Sequence, residues 1–222
     1  AIEMGSEHLS SYEVIYEEDT PLYAQLKAGE FDVDEDLACA MYDELIERAA
    51  GGGFEQYEIA NFARSQPGRA AKAVPARACR HNVNYWRGGS FYGLGPSATS
   101  YVRGVRAKNW ANTQLYCEQL EKGRRAIENS ETLPPVARAG ETAAFGLRMT
   151  RGWDFAEFKE VTGFDLRDGG AAEMNELVEQ GWGVGSETGF RLSPRGLRFA
   201  DAAAEMFLRV SDADPDAEPG NL

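Results

Sequence analysis

The sequence predicts an α/β chain in two parts, residues 1–130 and 131–210, followed by an acidic tail at 211–222. Two observations predict it. Residues 8–60 read as strand, helix, strand. Such a crossover unit favours a parallel sheet, because only a long connection returns the chain to start a second strand in the same direction. Beyond the polar stretch Glu128–Pro135, with its Pro-Pro stop, helical patterns lead into a hairpin and a last helix. That order is the order of a small winged-helix-like module, and the stop places a domain boundary there.

The elements follow in turn. In residues 8–16, Tyr12, Val14 and Tyr16 recur at period 2, which predicts a strand. Glu17–Pro21 breaks it, and Pro21 opens a short helix through Leu22, Tyr23 and Leu26 that ends near Gly29. Residues 35–50 predict a helix capped by Asp34, with Leu37, Met41 and Leu45 on one face and Gly51-Gly52-Gly53 as its stop. Phe54–Ala60 predicts a strand with Gln56 and Glu58 on one face, Tyr57 and Ile59 on the other. Residues 65–78 carry prolines, small residues and basic charge, and predict a surface loop. Phe91–Tyr101 predicts strand, glycine turn, strand; residues 113–127 predict a helix with Leu115, Tyr116 and Leu120 on its apolar side. Helices are expected at 137–149, 154–162 and 169–180, the last with Leu177 and Val178 on its apolar face. A hairpin is expected at Gly181–Leu192, turning at 186–189. Ser193-Pro194 should cap a final helix from Arg195 to about Val210, with Leu197, Ala200, Ala204 and Leu208 in register. The last residues, rich in Asp and Pro, are expected to be disordered.

Composition excludes several classes. A chain of 222 residues with 43% hydrophobic and 27% charged residues suits a globular protein with a sizeable core. It holds no run of about 18 apolar residues, hence no expected membrane span, which leaves peripheral contact with a membrane open. No secretory signal is visible, and the opening Ala-Ile-Glu-Met reads as the interior of a longer chain. The formal net charge of −13 argues against nucleic acid as the main partner, despite a local basic set at Arg64, Arg69, Lys72, Arg77 and Arg80. On the winged-helix-like module, Arg191, Arg195 and Arg198 are ringed by Glu173, Glu176, Glu179 and Glu187, which would repel phosphates from a DNA-binding regulator. Cys39, Cys79 and Cys117 are far apart, odd in number and without a close spacing, so they read as cytoplasmic thiols.

Chemistry concentrates in Cys79-Arg-His-Asn-Val-Asn-Tyr-Trp-Arg-Gly-Gly89 and the following Phe91-Tyr-Gly-Leu-Gly-Pro-Ser-Ala-Thr-Ser-Tyr101. The stretch holds one of the two histidines among aromatics, amides and glycines. Aromatics beside one imidazole can enclose a flat ligand and leave a nitrogen to coordinate it, and glycines let a backbone come close. By composition alone such a histidine is more often a core or turn residue, and Gly93 and Gly95 more often serve a turn.

The run His81-Asn-x-x-Tyr-Trp86, then Gly93-Leu-Gly-Pro-x-Ala-x-Ser-Tyr101, resembles the signature of the HemW-type heme chaperones. These belong to the oxygen-independent coproporphyrinogen III oxidase-like (HemN-like) radical SAM family. Other stretches fit in the same order: His8-Leu-Ser-Ser-Tyr12, Gly53-Phe-Glu-Gln-Tyr-Glu-Ile-Ala-Asn-Phe-Ala-Arg64, Gly146-Leu-Arg-Met-Thr-Arg-Gly152 and Leu192-Ser-Pro-Arg-Gly196. The resemblance spans about residues 8–210. It implies the end of a partial (β/α) barrel over 1–130, followed by a HemN C-terminal domain. In such a barrel, chemistry gathers at the C-terminal ends of strands, which points to Tyr12, Glu58 and Asn61.

The resemblance also implies ligands. His81 would give heme iron an axial nitrogen, with Tyr85 and Trp86 against the macrocycle and Asn82 or Asn84 orienting the imidazole. Cys79 is an alternative soft ligand. Tyr12 and Thr99 would lie near SAM. The family carries the [4Fe-4S] cysteines near its N-terminus, and this chain has no matching set, so alone it is expected to be catalytically inert. Oxidative decarboxylation of coproporphyrinogen III is the enzyme alternative to heme handling. Partners implied are heme or porphyrin and a heme-receiving client.

Overall fold

The computed structural model describes residues 2–65 and 74–209. Most of the expected basic loop and all of the acidic tail lie outside the described residues. The chain forms two compact units, Ala1–Ala78 and Cys79–Leu222. The boundary expected near 130 falls inside the second. Among the described residues, no helix is long and apolar enough to cross a membrane.

In the first unit a short strand β1 (His8–Ser10) precedes helices α1 (Pro21–Lys27) and α2 (Glu35–Gly51), then strands β2 (Phe54–Glu58) and β3 (Asn61–Arg64). The helix starts are local chemistry. Thr20 accepts from the Tyr23 amide and Asp34 from the Leu37 amide, so each cap satisfies a donor that the first turn leaves free. The core is small: Leu45, Ile46 and Ala49 of α2 pack on Phe54 and Phe62, joined by Ile2 and Leu9. Only the lower half of the expected α2 stripe reaches it, since Leu37 is 55% and Met41 65% exposed.

The sheet order is β1-β3-β2, antiparallel throughout. The expected parallel pairing is therefore corrected. β1 and β2 do run the same way, but the Asn-Phe-Ala-Arg motif forms a third strand between them, joined to β2 by a turn at Ile59-Ala60. The strand expected over 8–16 is also cut short. Ser11 still donates to the Ala60 carbonyl, but the four-residue β3 ends there, and Tyr12, Val14 and Ile15 are exposed.

The second unit opens with helix α3 (Arg80–Trp86), where the sequence predicted none. Strands β4 (Thr99–Val102), β5 (Val105–Asn109) and β6 (Ile127–Thr132) form an antiparallel sheet in that order, with α4 (Thr113–Glu121) inserted before β6. The expected 91–101 pairing exists as a single bridge between Phe91 and Tyr101. Arg103 and Gly104, both at positive φ (52° and 84°), make the tight turn from β4 to β5. Asn112 caps α4, which stops at Lys122-Gly123, short of the expected 127.

The last part holds α5 (Pro135–Gly146), β7 (Trp153–Asp154), α6 (Phe155–Thr162), α7 (Leu166–Glu179), β8 (Gly183–Gly185), β9 (Gly189–Leu192), α8 (Pro194–Leu197) and α9 (Ala200–Arg209). The hairpin expected at 181–192 forms, and β7 joins it in the order β7-β9-β8. The final helix is split. Ser193 caps only α8, and Phe199 at the break stacks on Trp182 with centroids 4.5 Å apart. The buried face of α9 carries Ala200, Ala203 and Phe207, while Leu208 is 37% exposed.

Trp153, 1% exposed, is the centre of this part. Its indole donates to the Ala143 carbonyl and its ring meets Phe158 edge-on at 5.2 Å. Burial of one such ring contributes about 2–3 kcal/mol. Two glycines make room. A Cβ on Gly146 would lie 2.2 Å from the indole, and one on Gly152 (φ +60°) 2.1 Å from the Phe190 carbonyl oxygen. Gly152→Ala should lower stability in urea unfolding by about 2–3 kcal/mol, because it adds a backbone clash to a left-handed strain. Gly163→Ala, at φ +84° in open space, should cost about 1 kcal/mol. Equal costs would show that the strand beside Gly152 yields.

Candidate functional site

Helix α3 has no side-chain cap at its start, and it ends on Gly88 at φ +73°, whose amide bonds back to the Tyr85 carbonyl. Asn84 is committed to that end: its amide donates to the Ser90 carbonyl and its side chain lies against Gly89. It serves the turn rather than the imidazole. His81 is exposed, and Tyr85 stands one helical turn further along the same face. Asn82 and Trp86, spaced likewise, are half-buried.

The rings collect at the C-terminal end of α3. Tyr85 meets Phe91 at 4.7 Å, Trp86 edge-on at 5.2 Å and Phe145 of α5 at 6.2 Å; Trp86 meets Phe145 at 6.3 Å. The Arg148 guanidinium lies over the Trp86 ring at 5.1 Å. Trp86 is thus set into the unit, and Tyr85, 36% exposed, forms the rim on the side of His81. The structure brings together His81, Tyr85 and Trp86 on one short helix with Asn82, and Cys79 sits just before it.

The glycine loop is pinned from three sides. Asn109 donates to the carbonyls of Gly93 and Gly95, the Gly93 amide donates to the Ser100 hydroxyl, and the Gly95 amide to the Tyr116 hydroxyl. Gly93 is required because a Cβ would lie 2.5 Å from the Thr99 carbonyl oxygen. Thr99 is half-buried at the start of β4. Tyr12 lies in the other unit, 72% exposed after β1.

Glu58 and Asn61 are both buried, in a polar group that the sequence only partly disclosed. A β-bulge at Tyr57 breaks the alternation, since Gln56 faces Phe62 and Glu58 faces Asn61. Tyr57 and Glu58 are then both inside. Glu58 accepts from the Asn61 amide and from the Ala60 backbone, Ser10 donates to the Asn61 carbonyl oxygen, and His8 pairs with the Tyr57 hydroxyl at 2.8 Å. His8 and Tyr57 were missed as members. Their signal was the His-Leu-Ser run, with polar groups on alternate strand positions, and the Gln-Tyr-Glu run, with polar groups on consecutive ones.

Burial lowers the His8 pKa, and the nearby Glu58 carboxylate raises it in part. The folded protein therefore binds this proton less readily than the unfolded chain, where histidine titrates near about 6.5. This contribution is present above that value and is lost as pH falls through the lower folded value. Urea midpoints should accordingly fall more between pH 7.5 and 5.5 for the native chain than for His8→Gln. Parallel pH profiles would contradict this assignment.

Residues 133–199 match the family model of the HemN C-terminal domain. The chain is 29% identical to "Heme chaperone HemW" of Mycobacterium tuberculosis over 157 residues, covering 70% of this chain and 38% of that protein. It is 25% identical to the protein of that name from Bacillus subtilis over 209 residues, covering 94% and 52%. It is 34% identical to "Radical S-adenosyl methionine domain-containing protein 1, mitochondrial" of Dictyostelium discoideum, covering 92% and 50%. The chain thus spans roughly two-fifths to half the length of these relatives. In fold it resembles the radical SAM enzyme coproporphyrinogen III oxidase (HemN) of Escherichia coli, with a TM-score of 0.66 at 15% identity, covering 93% of this chain and 49% of that one. Domain match, sequence and fold agree: residues 133–199 match the HemN C-terminal domain, and the chain is similar to HemW- and HemN-like radical SAM proteins over most of its length.

Proposed function

We propose that this chain is part of a heme-handling protein of the HemW type, and that His81 supplies an axial nitrogen to heme iron. The observation that carries the reading is the placement of an exposed imidazole one helical turn from Tyr85, at the rim of a packed aromatic cluster. Exposure leaves a ring nitrogen accessible to a ligand. Helix α3 fixes the backbone beneath it, and the Tyr85 and Phe91 rings offer an apolar edge to a flat macrocycle. Asn82, one position on, would orient the imidazole through its amide, whereas Asn84 is held by the turn. Heme would bring an iron with a free axial position; the protein's part is to hold the imidazole and shield one edge of the ring.

The fit differs for the other groups that the family implies. Among the described residues, no three His, Cys, Asp or Glu side chains come together as a metal site, and the cysteines do not cluster. The iron–sulfur cluster is not assigned to this chain, and no radical step is drawn through it. Tyr12 and Thr99 remain our proposed SAM-side residues of the whole protein. The client that receives heme is part of the same proposal, as is residence in the cytoplasm, where reduced thiols persist.

Heme titration followed by Soret absorbance tests the reading. The native chain should show a saturable shift, and His81→Ala should bind at least about tenfold more weakly, a loss of about 1.4 kcal/mol. Identical titrations of the two would remove His81 from the site.

A further inference from the structure

Two short stretches, Trp86-Arg87 and Arg148–Arg151, place three guanidinium groups beside two indoles. Arg87 lies over Trp153 at 4.3 Å and donates to the Gly152 carbonyl at 2.8 Å. Its side chain is only 10% exposed. Arg151 is bonded to both oxygens of Glu157, and that same carboxylate is 3.7 Å from the Arg87 Nε. Arg148 covers Trp86 and reaches Asp201, which is 86% exposed and therefore screened by solvent.

The cluster is short of acceptors. Buried N–H groups on Trp86 (Nε1), Arg87 (Nε and Nη1), Arg148 (Nε) and Arg151 (Nε) have no hydrogen-bond partner among the described residues. All five atoms are donors. Arg87 and Arg151 share one carboxylate, which leaves the pair with a net positive charge. Burial first, and the neighbouring Arg151 second, lower the Arg87 pKa to about 10 against the opposing pull of Glu157. Orphaned buried donors are rare, and each needs a compensating partner. A single oxyanion supplies both the missing charge and several lone pairs, and the guanidinium fork matches a carboxylate in plane. The way in is through Arg148 and Arg151, whose side chains are 25% and 32% exposed.

We infer that Arg87, Arg148 and Arg151 form an oxyanion site that takes a carboxylate, which on the heme reading is a porphyrin propionate. The identification of the porphyrin rests on that reading; the anion site does not. Arg87 closes the C-terminal end of α3, six residues from His81, or about 9 Å of helical rise.

Two titrations decide the matter. The first follows tryptophan fluorescence with sodium propionate against sodium chloride at equal ionic strength, because Trp86 and Trp153 lie under the guanidinium groups. A saturable response to propionate alone, weakened about tenfold in Arg151→Gln and in Arg148→Gln, supports the site. Arg151→Lys should recover part of it. No propionate-specific response in the folded native chain overturns the site. The second compares heme with its dimethyl ester. Heme should bind the native chain about tenfold more tightly than the ester, and Arg151→Gln should weaken heme to the level of the ester while leaving the ester unchanged. Heme and ester binding alike, or Arg151→Gln weakening both equally, overturns the propionate assignment. Propionate binding in a chain that takes up neither heme nor ester sustains the oxyanion site and overturns the heme reading.

Discussion

The second unit depends on the burial of Trp153. The indole fills the space that Gly146 leaves bare, anchors on the Ala143 carbonyl, packs on Phe158 and carries the Arg87 guanidinium on its other contacts. The contacts come from three pieces of chain. Together they tie α5, β7 and α6 to the residue that ends α3. The helix bearing His81 is thus built on the same packing that holds the HemN C-terminal domain. A cation over an indole away from water is worth about 2 kcal/mol or more, which a seven-residue helix without a side-chain cap needs.

The first unit solves a different problem. Its buried Glu58 would be costly alone, since an isolated carboxylate in an apolar interior is strongly disfavoured. Donors from Asn61 and the Ala60 backbone offset that cost. The bulge at Tyr57 makes the arrangement geometrically available, because it turns two consecutive side chains inward. The result is a rigid polar group at the strand ends, above a core of only a few aliphatic and aromatic residues.

What could be read in the sequence was whatever local chemistry decides. Caps at Asp34 and Ser193 mark helix starts because a side-chain oxygen replaces a missing acceptor within three residues; Thr20 and Asn112 do the same and were not read as caps. The hairpin at 181–192 was legible for a similar reason. Elements fixed by distant partners were not. β5 and β6 read Val-Arg-Ala-Lys-Asn and Ile-Glu-Asn-Ser-Glu-Thr, polar runs that become strands only through pairing, β5 between β4 and β6. The turn from β4 into β5, Arg103-Gly104, lacks the Asn or Asp that usually announces it. Helix α3 is held by rings and by Trp153, 67 positions beyond Trp86, so its own seven residues carried no helical signal. In the candidate site, the resemblance named His81 and its neighbours, whereas the arginines became visible only when their unpartnered nitrogens were found buried together.

The central claim is that α3 is a part of the C-terminal packing, so that ligand chemistry at His81 rests on the Arg87–Trp153 contact. Hydrogen exchange of the native chain and Arg87→Met tests it most directly. The account predicts faster exchange of the amides of Val83, Arg87, Gly88 and Gly89, with those of β2 and β3 unchanged, since the latter belong to the other unit. Unchanged protection of the four amides would show that α3 stands without the stack, and would contradict the claim.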